Sequence, residues 1–173
     1  MSRIHPARSW WQDEPARLAD EQAAMKAAAP SLAWLADEPS GGWRGDVPFW
    51  PFDRAEPPGL PGLLSGKPLE VRITCGHAFP MVEPSVRPLS VDVPFQALGW
   101  TSWHVAPDGT LCLLQGSAQW DPAGAAADLV PKISGWNVEF WLMRNGHIDA
   151  MTVSGIADDD SHDDLLAELG RQR

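Results

Sequence analysis

The sequence predicts an α+β domain: a helix, an antiparallel meander, a long proline-rich loop carrying a cysteine, and a closing helix. Three observations predict it. Residues 12–28 are dense in helix formers and are followed by Pro30. Residues 69–75 alternate, with Leu69, Val71, Ile73 and Cys75 on one face, the period of a half-buried strand. Residues 123–143 place Leu129, Ile133, Trp136 and Phe140 at helical spacing, the stripe of a packed helix.

Each element has its own justification. Asp13 or Glu14 stands beside a first-turn Pro15, and Leu18, Met25 and Ala28 share one face of the first helix, which is the expected punctuation and packing stripe. From residue 32 onward the apolar runs are short and broken by Gly and Pro: Leu32–Leu35, Gly42–Trp50 and Leu69–Cys75. Three strands in succession, with no room for crossover helices, predict antiparallel pairing. Pro80, Pro84, Pro88 and Pro94 deny regular pairing to much of residues 76–122, because proline cannot donate to a ladder. Long irregular stretches in a domain of this size tend to carry function. In the closing helix Pro131 suggests a kink or a start near Asp128. The reading is one domain over residues 1–157, then an acidic tail over 158–173. That tail sets Asp158, Asp159, Asp160, Asp163, Asp164 and Glu168 around Leu165, Leu166 and Leu169, and reads as a solvated, partly disordered end.

Composition narrows the class. A chain of 173 residues supports one domain with a core and is short for two. Ten Trp, five Phe and no Tyr predict a core filled by indoles, each bringing an N–H that needs a partner when buried. A formal charge of −10 argues against nucleic-acid and anionic-membrane partners. No apolar run is long enough to span a membrane, and the Met1–Pro6 start does not read as a signal peptide. Two cysteines make no disulfide framework, so a cytoplasmic setting is expected.

Cys112 is the candidate nucleophile. It stands three residues after Gly109 of a Pro107-Asp108-Gly109 turn and eight before Trp120, with His104 eight residues upstream. A thiol just past a tight turn can be held on an exposed loop and react. Asp108 is expected to shape the turn through its side chain and Gly109 to supply a positive φ. Trp120 and Pro122 read as packing and loop-ending residues. His104 reads either as a catalytic group or as a loop histidine bonding backbone. Cys75 reads as a small core residue. Cys75, His77, His104 and Cys112 lack the paired spacings of a zinc site, so neither metal nor cofactor is expected.

Together these residues resemble the ubiquitin-conjugating (E2-like) family, in its divergent bacterial branch, over residues 12–145. Phe79-Pro80 followed by Pro84 and Val86 resembles the family's Tyr-Pro-x-x-Pro-Pro-x-Val segment. Gly109-x-Leu111-Cys112-Leu113 resembles its Gly-x-Ile-Cys-Leu signature. Trp120-Asp121-Pro122 stands at its Trp-x-Pro spacing, and His104-Val105 falls where the family has the asparagine of His-Pro-Asn. The departures are His104 for that asparagine, Ser102-Trp103 for the His-Pro, extra residues around Ser90–Gly99, and an acidic first helix.

The resemblance implies a UBC-like fold with an N-terminal helix, a four-stranded antiparallel meander, an active-site loop and one or more C-terminal helices. It implies a thioester on Cys112 with the C-terminal glycine of a ubiquitin-like protein or a cGAS-like nucleotidyltransferase. That acyl group would pass to an amine on a target protein, after charging by an E1-like activating enzyme, in bacterial antiphage defence. Asp108, Gly109, Trp120 and Pro122 would form the active-site loop, with His104 as oxyanion donor, loop organiser or base. Two readings from other classes stay open: a catalytically silent module that binds a ubiquitin-like partner, and a cysteine hydrolase pairing Cys112 with His77 or His104.

Overall fold

A computed structural model describes residues 8–36, 40–115 and 119–172; the Met1–Pro6 start lies outside them. The helix expected over 12–28 is two helices, α1 (Trp10–Asp13) and α2 (Pro15–Ala28). Pro15 ends one and begins the other: it disfavours helical backbone at Glu14 and suits the first turn of α2. Trp10 is buried and donates its indole N–H to the Ser40 carbonyl at 2.7 Å, so this indole meets its polar demand. Met25 is buried to 1% exposure, with Leu18 and Ala28 packed beside it.

Four strands follow: β1 (Ala33–Leu35), β2 (Gly42–Asp46), β3 (Glu70–Thr74) and β4 (Ser85–Pro88), with the short helix α3 (Leu60–Leu63) between β2 and β3. They form one sheet in the order β1-β2-β3-β4 with every pair antiparallel. Trp43 pairs across strands with Ile73, and Ile73 with Val86, which puts all three on the buried face. Trp34 meets Trp43 edge to face at 4.8 Å, a favoured aromatic geometry. β2 stops at Asp46, short of the expected Trp50, and Pro48 just beyond cannot donate to a ladder. β4 lies in the stretch expected to be mostly irregular. It survives between Pro84 and Pro88 because it is an edge strand, where proline is tolerated.

α4 (Val130–Arg144) follows a 3-10 turn over Ala126–Leu129. Pro131 sits in its first turn, where a missing N–H breaks no helical bond, so the helix starts there. Ile133, Trp136 and Phe140 pack into the sheet-side core, whereas Val138 and Leu142 join a second cluster with Leu60, Leu63, Ile156 and Leu166. α4 is therefore buried on two sides.

The second cluster corrects the reading of the C-terminal segment as a solvated, partly disordered tail. Asp163–Arg171 form the amphipathic helix α5, with Leu166 fully buried. The Arg54 guanidinium clamps it: Nε donates to Asp163 Oδ2 at 2.7 Å and Nη2 to the Ile156 carbonyl at 2.6 Å. Gly170 lies so close to the loop before α3 that a Cβ there would stand 1.8 Å from the Pro58 carbonyl oxygen. The acidic residues hid a three-leucine stripe. Among the described residues no helix is long and apolar enough to cross a membrane.

Candidate active site

The residues around Cys112 fold into a tight hairpin beside the sheet edge. Ala106 N–H donates to the Thr110 carbonyl at 2.8 Å and Gly109 N–H to the Ala106 carbonyl at 2.9 Å. Gly109 has φ 83°. This is a three-residue loop of Pro107, Asp108 and Gly109 closed by a residue in the left-handed region, a form in which glycine avoids the Cβ penalty. Asp108 Oδ1 accepts from the Thr110 N–H at 3.0 Å and the Thr110 hydroxyl at 2.7 Å. Those bonds, with the nearby Arg87, hold the Asp108 carboxyl below the usual value.

Val105 bridges Leu111, and the Leu111 N–H donates to the Val86 carbonyl at 2.8 Å. The cysteine-bearing arm thus runs along β4. Both Val105 and Leu111 are buried, so apolar packing fixes the arm that precedes the thiol. Arg87 on β4 donates to the Asp108 carbonyl at 2.6 Å, fastening the turn to the sheet.

His104 and Cys112 stand opposite one another across this hairpin, and the Cys112 N–H donates to the His104 carbonyl at 2.8 Å. His104 has φ 50° and ψ 42°, a conformation uncommon for non-glycine residues, although histidine is among those that tolerate it best. Only 8% of its surface is exposed, and burial pushes its imidazole pKa down. The side chain is therefore neutral at physiological pH, able to donate one N–H or accept one proton. Whatever its side chain does, its backbone organises the cysteine arm.

Cys112 is half-buried, less open than the exposed loop the sequence suggested. Burial raises its thiol pKa, and the Asp108 and Glu83 carboxylates raise it further. The group rests as a thiol. Cys75, by contrast, is 1% exposed and pushed up to about 12, chiefly by burial, which makes it a core residue.

The loop beyond the cysteine is held from both sides. Trp120 donates its indole N–H to the Pro80 carbonyl at 2.6 Å and lies 6.1 Å from the Phe79 ring. Pro122 accepts from Arg17 Nη1 at 3.1 Å, and Arg17 Nη2 also reaches the Gly124 carbonyl at 2.9 Å and Glu21 at 3.0 Å. Glu21 in turn accepts the Ala126 N–H at 2.8 Å. Trp120 and Pro122 are therefore structural anchors. Among the described residues neither is hydrogen-bonded to the thiol.

Sequence reasoning missed four residues of this neighbourhood: Arg17, Glu21, Arg87 and Glu83. Arg17 and Glu21 carry a visible signal, their i,i+4 spacing, but in the sequence they count only among the charges of an acidic first helix. Arg87 and Glu83 carry no local signal. His77 is bonded to Ser40, Nδ1 to Oγ at 3.3 Å, which engages it away from Cys112. Among the described residues no group of three or more His, Cys, Asp or Glu side chains is placed to hold a metal ion. Comparison with family models, curated proteins and solved structures finds no match to this chain.

Proposed function

We propose that the chain is an E2-like conjugating enzyme that carries an acyl group on Cys112. The observation that carries this reading is the hairpin that sets His104 opposite a half-buried Cys112. The element order supports it: helix, four-stranded antiparallel meander, cysteine loop and closing helix follow the order the family resemblance implies.

The chemistry follows from the residues. The Cys112 thiolate attacks an activated C-terminal carbonyl supplied by an E1-like partner, forms a thioester and expels the activating group. A target amine then attacks that carbonyl, the tetrahedral intermediate collapses, and the thiolate leaves as the amide forms. Splitting acyl transfer in this way is what a cysteine nucleophile offers. A thiol of raised pKa is intrinsically a stronger nucleophile when ionised and a poorer leaving group, which favours a thioester that waits for its amine. An N–H donated by His104 to the developing oxyanion contributes ~3 kcal/mol to the transfer step. The carried group is the glycine end of a ubiquitin-like protein or of a cGAS-like nucleotidyltransferase, in a bacterial antiphage setting.

The test is adduct formation with candidate partner proteins and ATP on a non-reducing gel. A thiol-sensitive adduct that is lost in Cys112→Ala and kept in Cys75→Ala is the expected result; its persistence in Cys112→Ala sinks the proposal. One observation favours a second reading, a silent module binding a ubiquitin-like partner: burial raises the Cys112 thiol pKa, and among the described residues no carboxylate is bonded to the His104 imidazole. Tight binding of the same partners without any adduct decides for that reading.

A further inference from the structure

We propose that a pocket beside the C-terminal half of α4, apart from Cys112, binds a small purine nucleotide. The pocket encloses about 430 Å³ between α4, the loop after α3 and the residues that follow β4, within the size range of small-molecule sites. Asn137, Phe140, Trp141 and Arg144 line it. Their spacing places them on one helical stripe.

Asn137 is the anchor. It is 8% exposed, yet among the described residues its side-chain amide has no hydrogen-bond partner. Asn137 lines the pocket, so its amide is open to solvent or to a ligand rather than sealed in the core. Facing a cavity, it points to a ligand. An amide offers a donor and an acceptor side by side, the complement of the paired acceptor and donor on an adenine edge.

The rest of the lining fits the remainder of such a ligand. Trp141, one face of which is stacked on His147, keeps the other for a planar ring, whereas Phe140 is already stacked on Trp136 and covered by Arg144 and only closes the floor. Lys67 and Arg144 bring two cations to the rim of a chain whose formal charge is −10. Lys67 has no ion pair among the described residues. Arg144 is steadied by one bond, Nη1 to the Asp92 carbonyl at 2.9 Å, and stands 5.8 Å over the Phe140 ring, so other guanidinium N–H groups remain for phosphate. Ser90 Oγ accepts the Glu70 N–H at 2.9 Å, which leaves its own proton to donate.

Calorimetric titration of AMP into the full chain tests the proposal, with adenosine and inorganic phosphate as partial probes. AMP is expected to bind, and adenosine and phosphate each more weakly. Lys67→Ala, at an exposed rim position, should weaken AMP by about tenfold with an unchanged thermal midpoint. Asn137→Leu should weaken it at least as much; if that variant does not fold, Lys67→Ala and Arg144→Ala decide. No binding of AMP at millimolar concentration overturns the proposal, as does equal affinity in the variants. Adenosine binding as tightly as AMP, or phosphate alone matching it, overturns it too. None of these outcomes depends on Cys112.

Discussion

Glu21 on α2 and Glu139 on α4 are both buried carboxylates that hold a loop through backbone N–H groups, Ala126 at 2.8 Å for the first and Thr152 at 2.6 Å for the second. Burial raises the pKa of each, as its largest cause. Their counter-charges differ. Glu21 has the permanent cation of Arg17 at 3.0 Å, and the pair fastens the loop after Cys112. Glu139 has an imidazole nitrogen of His162 at 3.6 Å, and the Asp159 carboxylate pushes its pKa further up. Glu21 thus sits in a fixed charge pair on the cysteine side of the molecule, whereas Glu139 on the far side of α4 faces an imidazole rather than a guanidinium.

The comparison breaks most readily at Arg17. Arg17→Ala leaves Glu21 buried without its cation, and removing one partner of a buried pair costs about 3–5 kcal/mol. The carbonyls of Pro122 and Gly124 lose their donor at the same time. Urea denaturation measures the loss. A cost under about 1 kcal/mol, the range of an exposed pair, would mean that the clasp does not hold the loop.

Why this clasp escaped sequence reading shows what a linear sequence can carry. The alternation of Leu69, Val71, Ile73 and Cys75 and the stripe through Ile133, Trp136 and Phe140 are local periodicities, and both reappear as buried faces. The turn at Pro107-Asp108-Gly109 is equally local, because its chemistry lies within three residues. Glu21 and Glu139 are different. Each is a charge on a helix that becomes a core residue only when a loop far along the chain supplies an N–H and a cation or imidazole stands beside it. Arg54 is bonded to Asp163 over more than a hundred positions, a pairing no periodicity announces. The acidic end of the chain misled for the same reason. Its charges suggested a solvated tail, while Leu166 faced a cluster assembled from α3, α4 and residues near Ile156.

A smaller effect is expected on the far side. Leu166→Ala removes a fully buried side chain and should cost about 3 kcal/mol, the middle of the range for leucine truncation in a core. The thiol count separates the two regions. In the native variant Cys112 should react with Ellman's reagent at the wild-type rate and Cys75 should stay silent. A changed Cys112 rate would show that α4 transmits the loss from its far face to the cysteine side.

The smallest effect, and the sharpest test of the difference in counter-charge, is Glu139→Gln. The folded-state pKa of Glu139 lies above its ordinary value of 4.5, so the folded chain keeps this proton to higher pH than the unfolded chain does. By linkage its contribution is fully present below the ordinary value and is lost as pH rises through the folded pKa. Glutamine keeps an oxygen for the Thr152 N–H and carries no charge at any pH. The stability of Glu139→Gln relative to wild type should therefore be lowest in acid and climb as pH rises from 4.5. Urea midpoints across that range read the trend directly; a difference that stays flat would mean that Glu139 ionises as freely as a surface carboxylate. Glu21→Gln makes the control. The Glu21 pKa is raised too, so the relative stability of Glu21→Gln should also climb with pH, but from a lower start, because the substitution strands the Arg17 guanidinium at 3.0 Å whereas among the described residues Glu139 has no such cation bonded to it.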